Sequence, residues 1–202
     1  MTRHYVLDFD GTLFDTEMFW KWIVERFTRE GLEREVVRDL GEQLFPLKYT
    51  VEKHARGLGL VEETVRSIVE EFDEVTRSTS PSLVYPDVLS FLNGRPSTIL
   101  THGEEAFQKF KIASAGLDGR IGGVRIAGPE YRKVKHLEEM LAMSETPHLF
   151  VDDNPKELLR VHEAGLPVEL VRMRREGQRH AKDDHELDDQ VWRVIRSLNE
   201  LE

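Results

Sequence analysis

Three short apolar runs in this chain end on an oxygen-bearing side chain. They are Tyr5-Val6-Leu7 before Asp8, Ile99-Leu100 before Thr101, and His148-Leu149-Phe150-Val151 before Asp152. Runs of this length, apolar on both faces, read as strands buried on both sides. From residue 86 onward such runs alternate with helical patterns. Pro86 opens a helix that Gly94 closes, and residues 98–101 are a strand. Residues 104–115 are a helix ended by Gly116, and 123–127 a weaker strand. Residues 133–143 are a helix and 148–152 a strand. Pro155 starts a helix that Gly165 ends, and 168–173 are a strand. Alternation at this spacing implies βαβ units and a parallel sheet, whose ligands bind at the carboxyl ends of the strands.

The first strand, read over residues 4–9, is followed by a different pattern. Phe19, Trp20, Ile23, Val24 and Phe27 make one helical stripe over 17–29, with Thr16 as its expected N-cap. Residues 33–44 and 50–58 are helical in composition. Val61, Val65, Ile68, Phe72 and Val75 form an amphipathic stripe that Ser78–Ser82 ends. No strand pattern occurs between 16 and about 80, so this stretch reads as an inserted helical module. The expected division is residues 1–15 with 81–202 as the α/β core, and 16–80 as the insertion. Near the end, residues 174–186 read as a mobile polar loop. Residues 188–200 read as a helix facing Val191, Val194, Ile195 and Leu198 inward.

Composition narrows the function. The 202 residues carry a net charge of −10, which argues against sequence-independent nucleic-acid binding. There is no cysteine, hence no disulfide and no thiolate chemistry. That usage is compatible with the cytoplasm, the expected compartment. Neither a signal peptide nor a membrane helix is expected, because no apolar stretch is long enough.

The strand ends carry the chemistry. Asp8 and Asp10 stand two apart, a spacing that on a strand delivers both acids to one side, before a turn at Gly11. Two carboxylates about 4 Å apart repel by about 4 kcal/mol at an effective dielectric of about 20. Such a pair points to a metal or a proton as its partner. In a parallel sheet Asp8, Asp10, Thr101, Asp152 and Asp153 converge on one edge.

In order and spacing, these residues resemble the haloacid dehalogenase-like hydrolase superfamily over nearly the whole chain. The Asp-x-Asp-x-Thr motif stands as Asp8-Phe9-Asp10-Gly11-Thr12. The strand ending in Thr stands as Ile99-Leu100-Thr101. The helix-start lysine is Lys133 or Lys135, with Lys133 preferred from its spacing to Leu137 and Leu141, and the acidic pair is Asp152-Asp153. The resemblance implies a Rossmann-like α/β core with a C1-type helical cap over 16–80, hinged near Asp15-Thr16 and Ser78–Ser82. It implies a phosphatase of small phosphorylated metabolites. Asp8 would be the nucleophile that forms an aspartyl-phosphate, and Asp10 the acid and then base. Thr101 would bind a phosphoryl oxygen, and the lysine would neutralise charge. Mg²⁺ would be held by Asp8, the Asp10 carbonyl, Asp152 and Asp153. Asp153 or Asn154 is alternatively the cap of the next helix. Gly11, Thr12, His102 and Gly103 fall against substrate. His102 departs from the commoner Asn, and either donates to phosphate or shapes the loop. Halide-displacing members lack the second Asp, so Asp10 favours phosphoryl transfer. A phosphomutase and a catalytically idle binding domain are the alternatives.

Outside these motifs the expected readings are structural. Lys48, Lys53, His54 and Arg56 read as a solvated face rather than an anion site. Trp20 and Trp22 read as packing. Arg172, Arg174, Arg175 and Arg179 read as a solvated loop rather than an anion site. His180 and His185, among Asp183, Asp184 and Glu186, read as a polar loop rather than a metal site.

Overall fold

The structure, a computed structural model, describes residues 3–44, 49–128 and 132–201. Its centre is a six-stranded sheet. The strands are β1 (His4–Leu7), β2 (Ser97–His102), β3 (Gly123–Ala127), β4 (His148–Asp152), β5 (Val168–Met173) and β6 (Arg193–Ile195). Their order is β3-β2-β1-β4-β5-β6, with every neighbouring pair parallel. Period-two alternation divides the apolar residues between two faces. Leu7, Ile99, Val151 and Val171 belong to one cluster, with α5 (Pro86–Leu92) and α6 (Glu105–Ser114). Val6, Leu100, Phe150 and Leu170 belong to the other, with α7 (Lys133–Ala142) and α8 (Pro155–Glu163). Both faces are therefore covered, as parallel sheets require. No helix among the described residues is long and apolar enough to cross a membrane.

Between β1 and β2 the chain forms α1 (Thr16–Thr28), α2 (Arg34–Leu44), α3 (Val51–Gly57) and α4 (Glu62–Thr79). The two connections run side by side: Asp15 N–H donates to the Leu83 carbonyl at 2.8 Å, and Tyr85 N–H to the Leu13 carbonyl at 3.1 Å. The apolar cluster runs without a break from Leu7 into Ile23, Val65 and Phe72, so the insertion shares one face's core. Trp20 stacks on His54 and Trp22 packs against Phe72, as the packing reading anticipates.

Several sequence expectations change. The N-cap of α1 is Asp15, whose carboxylate accepts from Met18 N–H at 3.0 Å; the Thr16 hydroxyl donates instead to Asp10. The predicted helix over 188–200 is a turn, the edge strand β6 and a 3₁₀ turn at Leu198–Leu201. Asp189 adopts a left-handed φ of 58°, which a helix cannot absorb. Pairing with β5 then takes up the backbone that the helix would have used. The arginine loop is also not simply solvated. Arg172 is fully buried, bonded to Asp188 and to the His180 and Asp183 carbonyls, and Arg175 is buried as well. Their cationic heads find carbonyl oxygens that sequence spacing does not reveal. Arg179 stays exposed.

Of the basic residues in the insertion, Lys48 lies outside the described residues. Arg56 pairs with Glu52 and Glu62 on the surface. His54 is not on a solvated face: it is fully buried, with Nε2 donating to the Val37 carbonyl and Nδ1 facing the Tyr49 hydroxyl. Its fixed neighbours, including the rings of Trp20 and Phe27, explain why. Burial lowers its pKa from 6.5 to about 4, against the opposing pull of the Val37 carbonyl. Across that window the unfolded chain binds a proton that the folded chain does not, so stability falls as pH drops from 6.5 to about 4. The full effect is about 3 kcal/mol. His54→Gln is expected to lose less stability than wild type between about pH 7 and about pH 4.5, measured by urea unfolding at each pH.

Candidate active site

The register of β1 against β4 creates the site. Leu7 lies opposite Val151, and Asp8 N–H donates to the Val151 carbonyl at 2.8 Å. Asp8 and Asp152 are therefore next-door neighbours across two parallel strands. Asp153 joins them, and ligand atoms of the three carboxylates lie within 4.8 Å of one another. All three are buried. Asn154, not Asp153, caps α8, accepting from Lys156 N–H at 3.0 Å. Asp153 is left to the cluster.

Lys133, the first residue of α7, reaches into this group from the helix side. Its Nζ donates to Asp8 Oδ1 at 2.5 Å and to Asp152 Oδ2 at 2.7 Å. Asp152 Oδ1 accepts from Asn154 N–H at 2.9 Å. Lys135 instead faces Glu138 on the surface, so only Lys133 meets the acids. Burial raises the Asp8 pKa to about 7, with Lys133 pulling it down and Asp152 pushing it up. Asp153 is raised well above its ordinary value, by burial and then by Asp8 and Asp152. Burial works against the charged Lys133, but Asp152 and Asp8 outweigh it and raise its pKa.

Asp10 is handled separately. β1 ends at Leu7, so strand alternation does not extend to Asp10, and the two acids do not share partners. Asp10 Oδ1 accepts from Lys111 Nζ at 2.6 Å and from the Thr16 hydroxyl at 2.7 Å, and Oδ2 accepts from Gln108 Nε2 at 2.9 Å. Burial works to raise its pKa, but Lys111 with these hydrogen bonds leaves it lowered.

The remaining predicted site residues gather at the same strand ends. Thr101 is buried in β2; His102, which ends the strand, keeps an open surface, yet partial desolvation of its ring and then the charge of Lys133 lower its pKa. Gly11 has a φ of +79°, and a Cβ there would lie 2.4 Å from Asp153 Oδ2. Its N–H donates to the Phe14 carbonyl, and Thr12 N–H to the Phe9 carbonyl. The Thr12 hydroxyl is buried without a hydrogen-bond partner among the described residues. Gly103 N–H donates to the Ala127 carbonyl at 3.2 Å. The amides of these glycines thus hold the turns. His180 and His185 lie outside the acidic cluster, His180 bonding Asp183 and His185 packing on Trp192.

Sequence reasoning missed Lys111 and Gln108, and read Arg175 only as part of a solvated loop. The first two sit three apart on α6, where they look like ordinary polar helix positions. Arg175 donates to the Thr12 carbonyl at 3.2 Å, pairs with Asp87 at 2.9 Å and lies over the Tyr85 ring. It braces the first motif from the far end of the chain.

An all-oxygen set of three buried carboxylates suits a hard divalent cation such as Mg²⁺. The bare Cα of Gly11 is what lets the Asp153 oxygen approach the turn. In chelator near pH 8, Asp153→Asn is expected to melt higher than wild type, because the raised pKa of Asp153 makes its ionised form a cost to folding. Added MgCl₂ is expected to raise the wild-type melting temperature and to leave that of the variant nearly unmoved, as read by calorimetry.

No protein-family model matches the sequence, and no curated protein matches it. Solved structures do match. A protein described as a haloacid dehalogenase-like hydrolase, from Burkholderia xenovorans LB400, aligns with a TM-score of 0.71 at 20% identity, covering 99% of this chain and 94% of that one. The L-2-haloacid dehalogenase of Xanthobacter autotrophicus, with chloropropionic acid covalently bound, aligns with a TM-score of 0.65 at 17% identity, covering 100% and 97%. The HAD-hydrolase YfnB of Bacillus subtilis, bound to magnesium, aligns with a TM-score of 0.65 at 11% identity, covering 99% and 96%. The chain has the α/β fold of the haloacid dehalogenase-like hydrolases.

Proposed function

We propose that this chain is a Mg²⁺-dependent phosphatase of small phosphorylated metabolites, acting through an aspartyl-phosphate on Asp8. The observation that carries this reading is Lys133 bonded to both Asp8 and Asp152 at the mouth of a parallel sheet. A carboxylate held by a fixed ammonium on one oxygen keeps the other for attack on phosphorus. Asp10, on its own set of donors, is the group that serves the leaving oxygen and then the attacking water. Thr101 and His102 flank the phosphoryl oxygens. Asp8, Asp152, Asp153 and the Asp10 carbonyl would hold Mg²⁺, which supplies charge neutralisation for the phosphate among these acids. Helices α1–α4 are read as the lid that excludes water and selects the leaving group. The magnesium in YfnB supports the metal assignment by likeness.

Two further reactions fit the same carboxylate. A phosphomutase would return the phosphoryl group to a sugar hydroxyl instead of to water. A 2-haloacid dehalogenase is favoured by the likeness to the Xanthobacter enzyme, which holds chloropropionic acid covalently bound. Asp10 favours phosphoryl transfer over halide displacement.

Release of phosphate from 4-nitrophenyl phosphate is expected to need Mg²⁺ and to stop with chelator. Asp8→Asn should abolish it with the melting temperature retained. Lys133→Ala should lose at least about 10²-fold in kcat/KM, the scale of removing one preorganised charged donor, while Lys135→Ala stays near wild type. Chloride release from 2-chloropropionate in place of phosphate release would establish the dehalogenase. Phosphoryl transfer between sugar hydroxyls, followed by mass spectrometry, would establish the mutase.

A further inference from the structure

The proposed chemistry uses one buried lysine, Lys133. The structure holds a second, Lys111, only 1% exposed, whose carboxylate partner is Asp10. Its ammonium lies within 5.2–5.9 Å of the ring centroids of Phe107, Phe9, Phe14 and Phe19. A buried ion pair of this kind is a poor way to stabilise a fold, since apolar residues of similar volume do as well or better. An aromatic enclosure accepts a cation but would accept leucine or methionine more cheaply. Lys111 nevertheless stands there, aimed at the one acid of the first motif that Lys133 does not reach.

We propose that Lys111 is a positioning residue for Asp10, fixing through Oδ1 the rotamer from which this carboxyl, taking up a proton from solvent as the phosphate dianion binds beside it, serves the leaving-group oxygen. Gln108 fixes the second oxygen from the same helix face, and the Thr16 hydroxyl completes the grip on the first. Two of these donors come from α6 and one from the start of the helical insertion. Phe19, also in the insertion, forms one wall of the lysine enclosure. The seating of α1 is therefore coupled to the orientation of Asp10. Lys111 itself touches no reacting atom.

This inference rests on the phosphatase reading, and leaving-group dependence tests it. Asp10 matters little for a good leaving group and greatly for a poor one. The kcat/KM values of wild type, Lys111→Met and Lys111→Arg are compared on 4-nitrophenyl phosphate, phenyl phosphate and an alkyl phosphate. Lys111→Met is expected to lose less than about 10-fold on the first ester and about 10²-fold or more on the last, approaching the full worth of acid–base help. Lys111→Arg keeps the cation and is expected to show the same ordering with a smaller loss; it serves alone if the methionine variant does not fold. In an Asp10→Asn background, Lys111→Met should add little further loss. Equal losses on all three esters, or full additivity with Asp10→Asn, would overturn the assignment while leaving the phosphatase reading intact. A wild-type chain that hydrolyses none of the esters removes both together.

Discussion

Two carboxylates on adjacent parallel strands set the terms for everything at this sheet edge. Register places Asp8 beside Asp152, and the strand spacing of about 4.8 Å gives neither room to withdraw. Burial deepens the conflict, because water no longer screens the pair. Lys133 resolves it from the first turn of α7, where one ammonium reaches both acids. The position of α7 is in turn fixed by Leu137 and Met140 in the same sheet-face cluster as Val6 and Phe150. Apolar packing on that face thus delivers the charge that the strand ends demand. With Asp153 added, the acids still outnumber the ammonium, which is the residual field a divalent cation or a protonated acid must satisfy.

Asp10 shows how a short strand separates two residues that sequence spacing joins. Because β1 stops at Leu7, the chain turns before alternation can place Asp10 beside Asp8. Asp8 falls to donors from α7 and Asp10 to donors from α6, on the opposite face of the sheet. The split has a chemical consequence. One acid sits among like charges with its pKa raised to about 7, and the other sits among donors with its pKa lowered. Two identical side chains, two residues apart, thereby acquire different electrostatic environments from the two helical layers.

Much of this was legible in the sequence, for a definite reason. Strand ends that carry Asp8, Thr101 and Asp152 announce themselves because the preceding runs are apolar on both faces, and a parallel sheet gathers its carboxyl ends. Lys133 was legible through the family resemblance, which calls for a lysine at a helix start, with its spacing to Leu137 and Leu141 deciding against Lys135. What escaped was set by tertiary contact. Lys111 and Gln108 sit on an amphipathic helix where lysine and glutamine are normally solvated. The tail over 188–200 has apolar residues at helical spacing, but a left-handed Asp189 breaks the helix and the edge of β5 takes up Arg193–Ile195 as a strand. Arg172 and Arg175 looked like loop charge because their partners are mostly backbone carbonyls, which carry no sequence signature.

The glycines of the site make the same point about distance. Gly11 and Gly103 read in sequence as turn formers, and both do adopt positive φ. Their second duty is room. A Cβ on Gly11 would stand 2.4 Å from Asp153 Oδ2, and one on Gly103 would stand 2.7 Å from Gln108 Nε2. Each glycine therefore sits against a side chain that either belongs to the carboxylate cluster or holds Asp10. Alanine at position 11 would push on the acidic trio, and alanine at position 103 would push on the grip around Asp10. Strain in the turn and displacement of a carboxylate would then arrive together, because the backbone at this edge packs directly against the groups it positions.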